Sequence, residues 1–132
     1  MFEWNDKYAI GVASIDTQHK GLYAIGAELY SAMSAGQARE RMSSILARLV
    51  QYTENHFAFE ERLMQQHHYP DFAAHKAVHD ALIKKIAEFR ADVVMGKIGI
   101  GIPLLKFVEE WLTDHIGKTD RKYVPCVTAK AA

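Results

Sequence analysis

Met42-Ser43-Ser44-Ile45-Leu46-Ala47-Arg48-Leu49-Val50-Gln51-Tyr52-Thr53-Glu54-Asn55-His56-Phe57-Ala58-Phe59-Glu60-Glu61-Arg62-Leu63-Met64 is the stretch whose pattern decides the fold. Met42, Ile45, Leu46, Leu49, Thr53, His56, Glu60, Leu63 and Met64 recur at helical spacing and share one face of an α-helix. That helix is expected from about Gln37 to His67, with Tyr69-Pro70 marking its stop. Its apolar face contains an imidazole and a carboxylate four residues apart, which makes them stacked neighbours. A buried carboxylate without a partner is far more costly than a buried neutral polar group, so something must compensate Glu60.

The same motif of a polar residue inside an apolar stripe returns along the chain. After an irregular N-terminal arm, Asp16 offers an N-cap, and Leu22, Tyr23, Leu29, Tyr30 and Met33 follow helical spacing from His19 until Ser34-Ala35-Gly36. A third helix, from about Asp71 to Val94, carries Phe72, His75, His79, Leu82, Ile86, Phe89 and Val93 on one side. Gly96, Gly99 and Gly101 mark a loop. Pro103 suits the first turn of a fourth helix bearing Leu104, Val108, Trp111, Leu112 and His115. No segment alternates with a period of two, and the connections are short. The expectation is an all-α, up-down-up-down antiparallel four-helix bundle with an irregular N-terminal arm, residues 1–132 forming a single domain, and a frayed tail from Val124 to Ala132.

Composition narrows the function. The 16 basic and 16 acidic residues balance, and no stripe of Lys or Arg tracks a phosphate backbone, so nucleic acid is not an expected partner. No stretch approaches the ~20 apolar residues of a membrane span, and the start Met1-Phe2-Glu3-Trp4-Asn5-Asp6 lacks the pattern of an export signal. No membrane insertion and a cytoplasmic location are expected. Cys126 is the single cysteine, which excludes an internal disulfide, and it lies outside the histidine-bearing stripes.

Seven side chains able to bind metal remain on inner faces: His19, His56, Glu60, His75, His79, His115 and Asp120. A hydrogen-bonded network explains any one of these histidines alone. Four helices each placing His on the apolar stripe, with two carboxylates, is poorly explained by packing. Five imidazoles and two carboxylates are too many for one tetrahedral zinc and suit two six-coordinate irons. Asp120 needs a separate argument, because an offset of five turns a regular helix by about 500° and leaves it ~140° away from the His115 direction. Gly117 between them permits a break, a π-bulge or a tighter turn that would bring Asp120 inward; the alternative is that Asp120 is a surface residue near the helix end. His67 and His68, at the end of the second helix, are read as solvated end residues.

Gly11-Val12, Ile15-Asp16-Thr17-Gln18-His19-Lys20, His56-Phe57-Ala58-Phe59-Glu60-Glu61, Tyr69-Pro70, His75-x-x-x-His79 and Trp111-Leu112-x-x-His115-Ile116-x-x-x-Asp120 closely resemble the hemerythrins, specifically the single-domain bacteriohemerythrins, over nearly the whole chain. The resemblance implies that His75, His79 and His115 bind one iron, His19 and His56 the other, and that Glu60 and Asp120 bridge them together with an oxo or hydroxo group. It implies dioxygen as the ligand, at the position left open beside His19 and His56, with Leu112 and Trp111 lining the oxygen pocket. One departure is Gly26-Ala27, where similar sequences often carry Ile-Asn; Gly26 lies on the His19 face, and loss of a large side chain there leaves a void or a passage unless a neighbour fills it.

The function implied is reversible dioxygen binding for storage or delivery, with an oxygen-consuming enzyme as a further partner. Oxygen sensing and di-iron oxidase or peroxidase activity are the alternatives. Ferritin-like di-iron enzymes supply Glu-x-x-His motifs and zinc hydrolases His-Glu-x-x-His, and the chain has neither. Sensors of the hemerythrin family usually carry an attached signalling domain, for which 132 residues leave no room.

Overall fold

The structure is a computed structural model that describes residues 2–36, 39–96 and 101–128. The described residues are helical, without strands. They form α1 (Ala13–Ser34), α2 (Arg39–Gln66), α3 (Phe72–Val94), α4 (Gly101–Asp114) and a short α5 (Val124–Thr128). A 3-10 turn at Asp6–Tyr8 precedes α1. Between α4 and α5 the chain winds through a π-helical turn, His115–Thr119, and a 3-10 turn, Asp120–Tyr123.

Each long helix buries most of the stripe its sequence marks; Tyr30, expected on the inner face of α1, is instead 42% exposed. Leu22, Leu29, Ile45, Leu46, Leu49, Ile86, Leu104 and Val108 join in one apolar cluster. Ile15, Met64, Ile10 and Tyr123 form a smaller one. On α1, Ile15 of the small cluster lies one turn before His19 and Leu22 of the large cluster one turn after it. On α2, Glu60 is likewise followed one turn later by Met64. The buried polar residues therefore make a layer between two apolar ones.

Several boundaries differ from the sequence expectation. α1 begins one turn earlier than an Asp16 cap implies, with Val12 at the N-cap and no side-chain cap. Asp16 instead accepts hydrogen bonds from the N–H groups of Ile10 (2.8 Å) and Gly11 (3.3 Å), tying the arm to the first turn, where the helix dipole favours a carboxylate. Gly36 takes a positive φ of 63° just past α1, as a helix-ending glycine does. Gln37 and Gly99 lie outside the described residues, and Gly101 opens α4 rather than continuing the loop; a Cβ on it would sit 2.5 Å from Met33 Cε of α1. Nor is the tail frayed through its described part. Val124 and Val127 pack on the small cluster and hold α5 in place, while 129–132 lie outside the described residues.

The N-terminal arm settles the question at Gly26. Phe2, 6% exposed, lies against that glycine, and a Cβ on Gly26 would fall 2.5 Å from the ring. The expected void is filled by a side chain 24 positions earlier. Trp4 and Tyr8 pack on Tyr23 of α1, the two tyrosine rings stacked at 5.3 Å between centroids.

Candidate metal centre

Four elements converge on the polar layer. α1 supplies His19, α2 supplies His56 and Glu60, α3 supplies His75 and His79, and the π-helical turn brings His115 and Asp120 together. All seven are buried, with Glu60, Asp120 and His19 fully so. Two metal-sized groups result, His75 with His79, His115 and Asp120, and His19 with His56, Glu60 and Asp120; within each group the ligand atoms lie within 4.8 Å of one another.

The π turn solves the geometric problem posed by the five-residue offset. The Asp120 N–H bonds to the His115 carbonyl, an i to i+5 link that winds the backbone more widely than an α-helix. Asp120 is thereby carried back under His115, with Oδ1 at 2.9 Å from His115 Nε2. The same oxygen lies 3.1 Å from His75 Nε2, while Oδ2 faces His19 Nε2 at 3.0 Å. Asp120 therefore gives one oxygen to each group. Glu60 Oε1 approaches His56 Nε2 at 2.6 Å and His79 Nε2 at 4.0 Å.

These approaches are close without being aligned as hydrogen bonds. His19 Nε2, His56 Nε2, His75 Nε2 and both oxygens of Glu60 and of Asp120 are buried with no hydrogen-bond partner in the protein. Such atoms are rare in folded proteins because each gives up its hydration without replacement. Imidazole nitrogens and carboxylate oxygens converging at ligand-to-ligand spacing fit a pair of cations. The far nitrogens of His56 and His79, in contrast, are held by neighbours, while those of His19 and His115 have no hydrogen-bond partner. Gln18 Oε1 lies 2.6 Å from His56 Nδ1, and Glu61 Oε2 lies 2.9 Å from His79 Nδ1. An oxygen on Nδ1 keeps the proton there and leaves Nε2 bare for a metal. Phe57 stacks on His79, the rings 3.6 Å apart and nearly parallel.

Burial, reinforced by the neighbouring His115 and His75, pushes the His79 imidazole down to about 2, so it stays neutral. Burial also acts to lower the His115 imidazole, but its contacts with Asp120 prevail and raise it. Asp120 is held well below the usual carboxylate range; burial opposes ionisation, and the His115, His19 and His75 contacts overcome it. Burial raises the Tyr123 phenol far above its ordinary value, aided by Glu60 and Asp120.

His67 and His68 are exposed and outside both groups, as expected. Cys126 also stays outside; its thiol donates to the His67 carbonyl at 3.2 Å. Leu112 and Trp111 are buried in the large apolar cluster, and Trp111 also borders a surface groove with His115.

A family model described as the hemerythrin HHE cation binding domain matches residues 10–127, which include all seven clustered side chains. The chain belongs to the hemerythrin family. A bacteriohemerythrin from Stenotrophomonas maltophilia (strain R551-3) is 37% identical over 129 residues, covering 98% of this chain and 83% of that protein. A bacteriohemerythrin from Methylococcus capsulatus (strain ATCC 33009 / NCIMB 11132 / Bath) is 34% identical, covering 93% of each. A crystal structure of wild-type hemerythrin superimposes with a TM-score of 0.87 at 34% identity, covering 96% of this chain and 98% of that one. The bundle is thus a hemerythrin-family bundle.

Sequence reasoning assigned no role to Gln18, Glu61 or Tyr123. Gln18 and Glu61 stand beside His19 and Glu60 in sequence but one helical step away from them, so each reaches a histidine on a neighbouring helix. That pairing follows from helix packing, not from spacing along one helix. Tyr123 falls after an irregular turn, where no periodic stripe marks an inward position.

Proposed function

We propose that this protein binds dioxygen reversibly at a non-heme di-iron centre and serves in oxygen storage or delivery. The observation that carries the reading is the unequal split of the ligand set. One group holds three imidazoles and the other two, while Asp120 turns one oxygen to each. In this reading His75, His79 and His115 would hold one iron and His19 and His56 the other, with Glu60 and Asp120 serving as carboxylate ligands of the pair. The two irons would supply the electrons that bound dioxygen takes up and returns.

The chain's own residues do the rest. Three imidazoles would serve one iron and two the other, which would leave the second able to take a small ligand. Gln18 and Glu61 fix the tautomers of His56 and His79. Two carboxylates would offset half of the charge of two ferrous ions in a low-dielectric interior, which limits the penalty of burying them. Leu112 and Trp111, as the oxygen pocket, would keep water away from the bound ligand. A binding protein rather than an enzyme is the favoured reading. Residues 1–132 would act as a single domain, in the cytoplasm, handing oxygen to an oxygen-consuming enzyme. No helix among the described residues is long and apolar enough to cross a membrane.

The test is stoichiometry. The purified protein, reconstituted with ferrous iron without air, is expected to hold two irons per chain and to take up one dioxygen per pair in an oxygen-electrode titration. A single iron per chain, or continued oxygen consumption beyond one per pair, would overturn the reading.

A further inference from the structure

Two glycines of α1 receive side chains from elsewhere, and the one at Gly21 lies beside the metal layer. A Cβ on Gly21 would overlap the Tyr52 hydroxyl and fall 2.5 Å from Tyr52 Cζ. Only a residue without a side chain lets Tyr52 of α2 come this close to the α1 backbone. The hydroxyl uses that approach to donate a hydrogen bond of 2.8 Å to the Gln18 backbone carbonyl. Gln18 in turn places its side-chain Oε1 2.6 Å from His56 Nδ1, and it directly precedes His19 in the chain. Tyr52, half-buried, also stands between two surface grooves along the α1–α2 seam. One is lined by Gly21, Ile25 and Arg48, the other by Gln18, His56 and Arg62, and each encloses about 410 Å³.

We infer that Tyr52, seated on Gly21, is a positioning residue for the His19 and His56 half of the centre. Its bond fixes the height of Gln18 on α1 relative to α2. That one register sets the direction of His19 and the hydrogen bond that orients His56. The other half is built from α3 and the π-helical turn and receives nothing from Tyr52. The keying through Gly21 therefore acts on one cation of two, the one with the open position. This inference rests on the two-iron reading above.

The experiment uses the full-length protein loaded with ferrous iron, challenged with an excess of a ferrous chelator under nitrogen. Tyr52→Phe keeps the ring and removes the donor; Gly21→Ala pushes the whole ring out. A partner holding a ligating histidine is worth roughly ten- to a hundredfold in metal affinity, and a residue acting one step behind it is expected near the lower end, about tenfold. Wild type is expected to release its irons slowly. Tyr52→Phe should release one iron of the two about tenfold faster, with the second leaving at the wild-type rate and the helical circular dichroism unchanged. The double variant should be no worse than the worse single variant, because both changes break the same bond. Loss of both irons together, or wild-type release of both from Tyr52→Phe, would overturn the inference. Wild-type protein that binds no pair of irons at all would instead sink the two-iron reading.

Discussion

Leu49 and Glu60 lie about three turns apart on the same face of α2, and both are completely buried. Leu49 packs within the large apolar cluster, and its burial stabilises the fold. Around Glu60 stand imidazoles and another carboxylate, and neither Glu60 oxygen has a hydrogen-bond partner. The contrast shows two kinds of interior within one bundle. One is complete as protein; the other leaves buried ligand-type atoms without a protein partner and could hold metal. The apolar layers on either side of the polar one hold the helices that carry the converging side chains.

The largest expected effect breaks the comparison at its polar side. Glu60→Ala or His56→Ala should abolish tight binding of the iron pair, read as iron per chain after desalting, whereas His67→Ala and His68→Ala should retain two. Equal loss from His67→Ala and His56→Ala would mean that the layer is not the site.

A second pair of changes sets the layers against each other directly. Leu112→Ala and Leu49→Ala should each cost about 2–5 kcal/mol of stability in denaturant titrations, since both remove a buried leucine. Only Leu112→Ala should also speed autoxidation of the oxygen-loaded protein, because Leu112 stands one turn before His115 and Leu49 faces no metal candidate. Matching autoxidation rates would make Leu112 a packing residue alone.

The smallest effect sharpens the picture at the apolar end. Gly26→Ala puts a Cβ 2.5 Å from the Phe2 ring and must displace the arm. A loss of about 1–3 kcal/mol is expected, as in other overpacked cores, with iron content unchanged. Calorimetry beside an iron assay reads both.

The same contrast explains how much was legible from the chain. Stripes at three- and four-residue spacing exposed the four long helices, and polar residues inside those stripes exposed the candidate site, because helical periodicity is a local property of sequence. Asp120 was not reachable by that route. Its position depends on a π-helical turn, and five-residue spacing on a regular helix points it away; resemblance to the hemerythrins supplied it. The Phe2–Gly26 and Tyr52–Gly21 contacts were invisible for another reason. Each joins residues on separate elements, and only the packed helices bring them together. Asp16 resembled a cap by residue type, yet the helix started a turn earlier because the arm needed that carboxylate for its own N–H groups.

The most direct test of the account is spectroscopic cycling of the reduced, iron-loaded protein. On exposure to air it should develop a visible absorption band, lose it when oxygen is removed under vacuum or argon, and regain it on re-exposure, at constant iron content through several cycles. A band that decays within the first cycle without returning, or no band from protein carrying two irons per chain, would contradict reversible oxygen binding at this centre.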